Sequence, residues 1–209
     1  MVGRIIETAD CVAEGAAWLA VQDPRFGLAL AETGPLPLRR NAEGFATLLD
    51  AIVGQQVSVA AADAVMRRLQ QAELVAPGAI LAASDTDLRA CGLSRQKAAY
   101  ARALAGAGLD FAALSILPDA EVIVRLVEIK GIGRWTAEIY TMFALGRADV
   151  LCSGDLALQE AARLLFGLPA RPTDKALREM AAAWSPWRGV AARLLWAYYR
   201  VAKNRDGIR

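Results

Sequence analysis

Apolar residues recur along this chain at intervals of three and four, the period of helices that each bury one stripe. Phe45, Leu48, Leu49 and Ile52 follow that rule, and Gly54 ends the run. Gln55-Gln56-Val57 forms a short link, and Ser58 is placed to cap a helix whose apolar side is Ala62, Val65, Met66 and Leu69. Ser84 to Asp87 reads as a capping box with Asp in the Glu position, closed at Cys91-Gly92. Ser94 caps the stretch Arg95 to Ala107, and Pro118-Asp119 opens a helix running to Ile129. That run stops at Gly131-Ile132-Gly133 and another starts at once, with Trp135, Ile139, Met142 and Phe143 on one side and Gly146 at its end. Asp155 to Phe166 is the next helix, stopped by Gly167, and Thr173 caps Asp174 to Trp184. Ser185-Pro186 then supplies a cap and a proline at the first position of the last helix.

No stretch alternates with period two. The expected fold is therefore all-α, with two helical lobes and a cleft between them. A minor N-terminal strand pair, around Ile5-Ile6 or Leu36 to Leu38, is the one allowance for β structure. The expected division is an N-terminal segment 1–40 packing on the core, a first lobe 41–112, and a second lobe 113–209 holding the glycine hairpin and Asp155. The loop-rich stretch from Ala107 to Pro118 is the expected junction, and the two terminal segments are expected to complete the first lobe.

Composition narrows the chemistry. With 56% hydrophobic residues in 209, the chain can build a sizeable core. A net charge of +2 argues against electrostatics alone holding a polyanion, yet backbone N–H groups and helix N-termini bind phosphate without adding formal charge. No apolar run approaches the roughly 18 residues of a membrane span, and the start lacks the order of a signal peptide, so a cytoplasmic, nucleoid-associated protein is expected. Three scattered cysteines make neither a disulfide framework nor a CxxC metal site. There is no histidine, which removes imidazole acid–base chemistry and the Ser-His triads.

Two segments carry chemistry. Leu126 to Ala137 places Gly131 and Gly133 with a single residue between them, joining two helices in a bend too tight for side chains. The bend leaves N–H groups exposed at a helix start, where phosphate is welcome. Its ordinary reading is a helix corner. The preceding apolar run, the spacing and the immediate restart favour a helix-hairpin-helix phosphate clamp, whose opposite carbonyls can bind a monovalent cation. Val150 to Leu156 holds the lone acid Asp155. Alone it reads as an N-cap; beside the hairpin it reads as a carboxylate that the helix N-terminus favours in its charged form, facing a sugar. Trp135 and Trp196 read either as core or as walls of a base pocket. Gln55-Gln56 reads either as a solvated link or, facing DNA, as the filler of a gap left by an extruded base. Lys130, Arg134 and Arg188 read as solvated charges or phosphate contacts.

These segments resemble the helix-hairpin-helix superfamily of DNA base-excision glycosylases. Ile52 to Ser58, Gly92 to Lys97, Gly131 to Ala137, Gly154-Asp155-Leu156 and Trp187-Arg188 resemble its DNA-3-methyladenine glycosylase II branch, in consistent order over about residues 40 to 203. The resemblance implies Asp155 as the catalytic aspartate and Trp135, Trp196, Gln55 and Tyr140 around the base. It implies DNA contacts from Gln56 as wedge and from Lys130, Gly131, Ile132, Gly133, Arg134 and Arg188. The backbone carbonyls of Ile129 and Gly131 would face the monovalent cation, and no other cofactor is implied. Trp135 stands where bifunctional relatives carry a Schiff-base lysine, which implies a monofunctional enzyme. The four-cysteine iron–sulfur loop and the N-terminal mixed-sheet domain of larger members have no counterpart. Cys152 replaces a frequent proline, and Ile139 stands where some members have a pocket tyrosine, with Tyr140 adjacent.

The expected activity is hydrolysis of the N-glycosidic bond of an extruded alkylated purine of the 3-methyladenine or 7-methylguanine type. Double-stranded DNA with alkylated bases is the expected partner, and a monomer the expected state. Three alternatives stay open: a glycosylase for deaminated or oxidised bases, a non-catalytic module that binds DNA structure, and a helical scaffold for a protein partner.

Overall fold

The computed structural model describes residues 2–203. The outer ends of the expected segments, residue 1 and residues 204–209, lie outside the described residues. The chain divides into two compact units: unit 1 is Asn41–Tyr140, and unit 2 joins Val2–Arg40 to the described part of Thr141–Arg209. The anticipated divide after residue 112 falls inside unit 1, which also takes in the hairpin. The terminal segments join Asp155 in unit 2 rather than the stretch 41–112. The stretch from 107 to 118 is not a junction: it carries a short helix of unit 1.

Unit 1 is built from α3 (Phe45–Val53), α4 (Val59–Gln71), α5 (Pro77–Ala82), α6 (Asp85–Ala90), α7 (Arg95–Gly106), α8 (Phe111–Ser115), α9 (Asp119–Val127) and the start of α10 (Arg134–Phe143). The caps read from sequence act as such. Ser58 accepts from Ala61 N, Ser94 from Lys97 N, and Ser84 and Asp87 close a reciprocal capping box. Helix α7 is the hub, packing on α3, α5 and α6. The stripe foreseen on α3 is buried as a block, Phe45, Leu48, Leu49, Ile52 and Val53. Each such side chain contributes about 1.5–3 kcal/mol by leaving water.

Unit 2 contains α1 (Ala9–Gln22), α2 (Pro24–Thr33), the end of α10, α11 (Leu156–Phe166), α12 (Asp174–Met180), a 3₁₀ turn (Ala181–Trp184) and α13 (Arg188–Lys203). Residues Gly189 to Ala197 of α13 are all buried, because α1, α2 and α11 pack around it. Gly15 lets α1 approach: a Cβ there would lie 2.7 Å from Val190 Cγ2 and inside the contact distance of the Trp187 ring. Phe26, Phe166 and Trp184 form an aromatic cluster, two edge-on contacts at 5.4 and 5.6 Å and one stacked pair at 5.7 Å.

The N-terminal strand pair reduces to one antiparallel bridge, Ile5 with Arg147, flanked by Ile6 N to Gly146 O at 2.7 Å and Ala148 N to Arg4 O at 3.0 Å. Residues 36–38 form no strand. Most of the segment is helical instead, through the Thr8 cap on α1 and the Asp23-Pro24 start of α2. The foreseen helix 174–184 tightens to 3₁₀ in its last turn. Ser185 is not the cap of α13 either: the helix begins at Arg188, and the Ser185 hydroxyl donates to Asp149 at 2.8 Å. Among the described residues no helix is long and apolar enough to cross a membrane.

Candidate functional site

The hairpin lies in unit 1. Helix α9 ends at Val127 with Glu128 as its C-cap, and Ile132 N donates to Ile129 O at 2.9 Å, closing the turn. Gly131 has a φ of +99°, where a side chain is strained, and a Cβ there would stand 2.7 Å from Tyr100 Cδ2. Gly133 differs: nothing lies within 4 Å of where its Cβ would be. Lys130, Gly133 and Arg134 are exposed, whereas Ile132 is buried as the apolar pin of the turn. Gly133 O accepts the first bond of α10, from Ala137 N at 3.0 Å. The next N–H groups thus sit at a helix N-terminus beside an exposed glycine, a geometry suited to an anion.

The two carbonyls expected to face a cation are both engaged. Ile129 O accepts from Ile132 N, and Gly131 O accepts from Gln55 Nε2 at 2.8 Å. Among the described residues there is no cluster of His, Cys, Asp or Glu able to hold a metal ion.

Gln55 and Tyr140 are likewise engaged within unit 1. Gln55 reaches the hairpin, and the Tyr140 hydroxyl accepts from Gly44 N at 3.0 Å, holding the start of α3. Burial pushes the Tyr140 phenol up. Gln56 is exposed, with a φ of +58°. Trp135 is 36% exposed on the first turn of α10. Arg134 Nε donates to Glu138 at 2.9 Å along α10. A cavity of about 920 Å³ opens among α7, α8 and α9, and of the expected site residues it includes only Ile129 and Lys130.

Unit 2 holds the acid. Asp155 caps α11, and its Oδ1 accepts from Ala157 N at 2.9 Å and Leu158 N at 3.0 Å. The buried indole of Trp196 donates to the same oxygen at 3.3 Å. Three donors on one oxygen fix the orientation of the carboxylate. Asp155 is 5% exposed, between Gly154 and Leu156, which are both exposed. Trp196 packs on Phe143, ring centroids 5.8 Å apart. The capping and catalytic readings of Asp155 therefore share one geometry.

Arg188 makes a two-pronged pair with Asp149, at 2.7 and 2.8 Å. Burial pushes the Asp149 carboxyl up, but the Arg188 and Ser185 hydrogen bonds outweigh it and hold it below the ordinary carboxylate range. The sequence reading missed Asp149 as well as Tyr100 beneath the hairpin. An acid or a tyrosine on a helical pattern carries no local mark of a partner tens of residues away.

An all-helical fold with a glycine turn between two helices in one unit and a capped acid in the other fits the class of helix-hairpin-helix DNA repair proteins. The chain belongs to the HhH-GPD superfamily of base excision DNA repair proteins, whose profile matches residues 49–187. It is 31% identical over 180 residues to DNA-3-methyladenine glycosylase 1 of Schizosaccharomyces pombe, covering 80% of this chain and 77% of that protein. The crystal structure of a DNA-3-methyladenine glycosidase from Bacillus halodurans superposes with a TM-score of 0.76 at 35% identity, over 88% of each chain. The S. pombe 3-methyladenine DNA glycosylase Mag1 in complex with abasic DNA also gives 0.76, at 28% identity, over 91% of this chain and 97% of that one.

Proposed function

We propose that this protein is a monofunctional DNA glycosylase of the DNA-3-methyladenine glycosylase II type, acting on alkylated purines in double-stranded DNA. The observation that carries the reading is the Asp155 carboxylate, held by three donors on one oxygen at the exposed edge formed by Gly154 and Leu156. The names of the relatives support the substrate class.

The hairpin's part is to hold a backbone phosphate on the N–H groups around Gly133, with Lys130 and Arg134 beside it. Gln56 enters the duplex and occupies the space of the extruded nucleotide. Extrusion costs a few kcal/mol, least at a weakened pair. A purine alkylated at N3 or N7 carries positive charge, so the C1′–N9 bond breaks with its electron pair going to the base, and the base leaves neutral. No general acid is needed, which suits a chain without histidine. Tryptophan faces attract the cationic base by about 0.5–2 kcal/mol when desolvated. Asp155 stabilises the oxocarbenium-like sugar and orients water, which adds to C1′ and passes its extra proton to solvent. An abasic site remains. Trp135 offers no amine for a Schiff base, so the strand stays intact.

The test is a panel of duplexes carrying single lesions, scored for abasic sites with and without alkali. Release of 3-methyladenine or 7-methylguanine, with strand breaks only after alkali, is the expected result. Breaks without alkali would overturn the monofunctional reading. Release only of deaminated or oxidised bases would overturn the alkylpurine reading, and abasic-DNA binding without release of any base would leave a binding module.

A further inference from the structure

Several contacts within unit 1 meet at the Gln55-Gln56 link and the hairpin. Gln55 Nε2 donates to Gly131 O at 2.8 Å, joining segments 76 residues apart. Lys97 Nζ donates at 2.6 Å to the carbonyl of Val53, the last residue of α3. Tyr100, three residues further along α7, lies under Gly131 so closely that the hairpin has no room for a Cβ. Gln96 Nε2 fixes that ring through the Tyr100 hydroxyl at 2.6 Å. Residues 97 and 100 share a face of α7, so one helix supports the link and the hairpin together. Gln56 follows directly, exposed and in the left-handed region. A residue with a Cβ adopts that conformation only where its surroundings impose it. The side chain of its immediate neighbour, Gln55, is the one anchored to the hairpin.

We infer that Gln55 is a positioning residue: by gripping the Gly131 carbonyl it fixes Gln56 relative to the hairpin, so that the duplex-entering side chain and the phosphate clamp act as one rigid part. This rests on the proposed glycosylase reading, in which both elements meet DNA. Gln55 need not touch the base.

The test replaces Gln55 with methionine, which keeps the length and loses the donor. Two measurements are made on the whole chain. Hydrogen exchange is followed in segments 54–57 and 130–133, and single-turnover release of 7-methylguanine is followed in wild type, Gln55→Met, Gln56→Ala and the double variant. Losing one hydrogen bond should speed exchange about fivefold in both segments together, with the rest of the chain unchanged. Release should slow about five- to tenfold in Gln55→Met, yet less than about twofold further when Gln56 is already alanine, because the brace then has nothing to position. A purely structural role, or contact with the base, would give equal losses in both backgrounds and would overturn the inference. Unchanged exchange in the hairpin would overturn it regardless of activity. A wild type that releases no base would refute the glycosylase reading instead, and the exchange result would still decide whether the brace exists.

Discussion

Gly131 and Gly133 stand two residues apart in one turn, yet alanine should act on them by different routes. At Gly131 the φ of +99° and the Tyr100 ring both oppose a Cβ. The backbone term is about 1–2 kcal/mol, and the crowding adds about 1–3 kcal/mol unless the turn moves. For a chain of this size that lowers the melting temperature by roughly 4–15 °C. At Gly133 the protein offers no obstacle, because the space is open and the residue exposed. A methyl group there meets only what docks against the turn. If a phosphate sits on the N–H groups, Gly133→Ala pushes it away and weakens a charge-assisted contact by about 1.5–3 kcal/mol. The dissociation constant for an abasic duplex then rises about 10- to 100-fold. Melting should stay within about 2 °C of wild type. The salt dependence of binding should keep its slope, because no Lys or Arg contact is lost. The assay is fluorescence anisotropy with a labelled abasic duplex at several salt concentrations, beside a thermal melt. Wild-type affinity in Gly133→Ala with a normal melt would refute phosphate binding by this turn.

Other consequences follow from single contacts. Trp196→Phe keeps a ring against Phe143 and removes the indole donor to Asp155, so single-turnover base release should fall about threefold to tenfold with little change in DNA affinity; equal rates would show that the indole does not serve the carboxylate. Gly15→Ala drives a methyl into the Trp187 ring and Val190, and should lower the melting temperature by several degrees despite the better helix propensity of alanine; a rise would contradict the close approach of α1 to α13. The Arg163 hydrogen bond, helped by Lys203, holds the Glu160 carboxyl down at about 2, against an ordinary 4.5. A depressed carboxyl stabilises the fold above its unfolded value and loses that contribution as pH falls through its folded one. Glu160→Gln should therefore cost stability at pH 7, about 1 kcal/mol for a solvent-screened pair. That difference should close between about pH 4.5 and 2 in denaturant titrations, and a pH-independent difference would contradict it.

What the sequence revealed was local. Ser58, Ser84, Ser94, Asp155 and Thr173 all cap the helices assigned to them, because a cap needs only its own first turn. Thr8 and Asp23-Pro24 carry the same local signal for α1 and α2 in the N-terminal segment. The division into units was not legible. Which helices share a core depends on contacts such as Gly15 with Trp187, and nothing near residue 15 announces residue 187. The same holds at the site. The glycine turn and the capped acid were visible as patterns, whereas Gln55 on Gly131, Tyr140 on Gly44 and Arg188 on Asp149 join residues 76, 96 and 39 positions apart. Those long-range bonds tie the expected site residues into the fold, and no local pattern announces them.

In the proposed reaction Asp155 does chemistry beyond capping α11. Asparagine caps a helix about as well as aspartate and keeps an acceptor at Oδ1, but it brings no negative charge. The most direct measurement is therefore single-turnover release of 7-methylguanine from a single-lesion duplex by Asp155→Asn, with a thermal melt alongside. The variant should melt within about 2–3 °C of wild type and release base about 10²–10³-fold more slowly. Base release at the wild-type rate from a normally folded variant would contradict that role of Asp155.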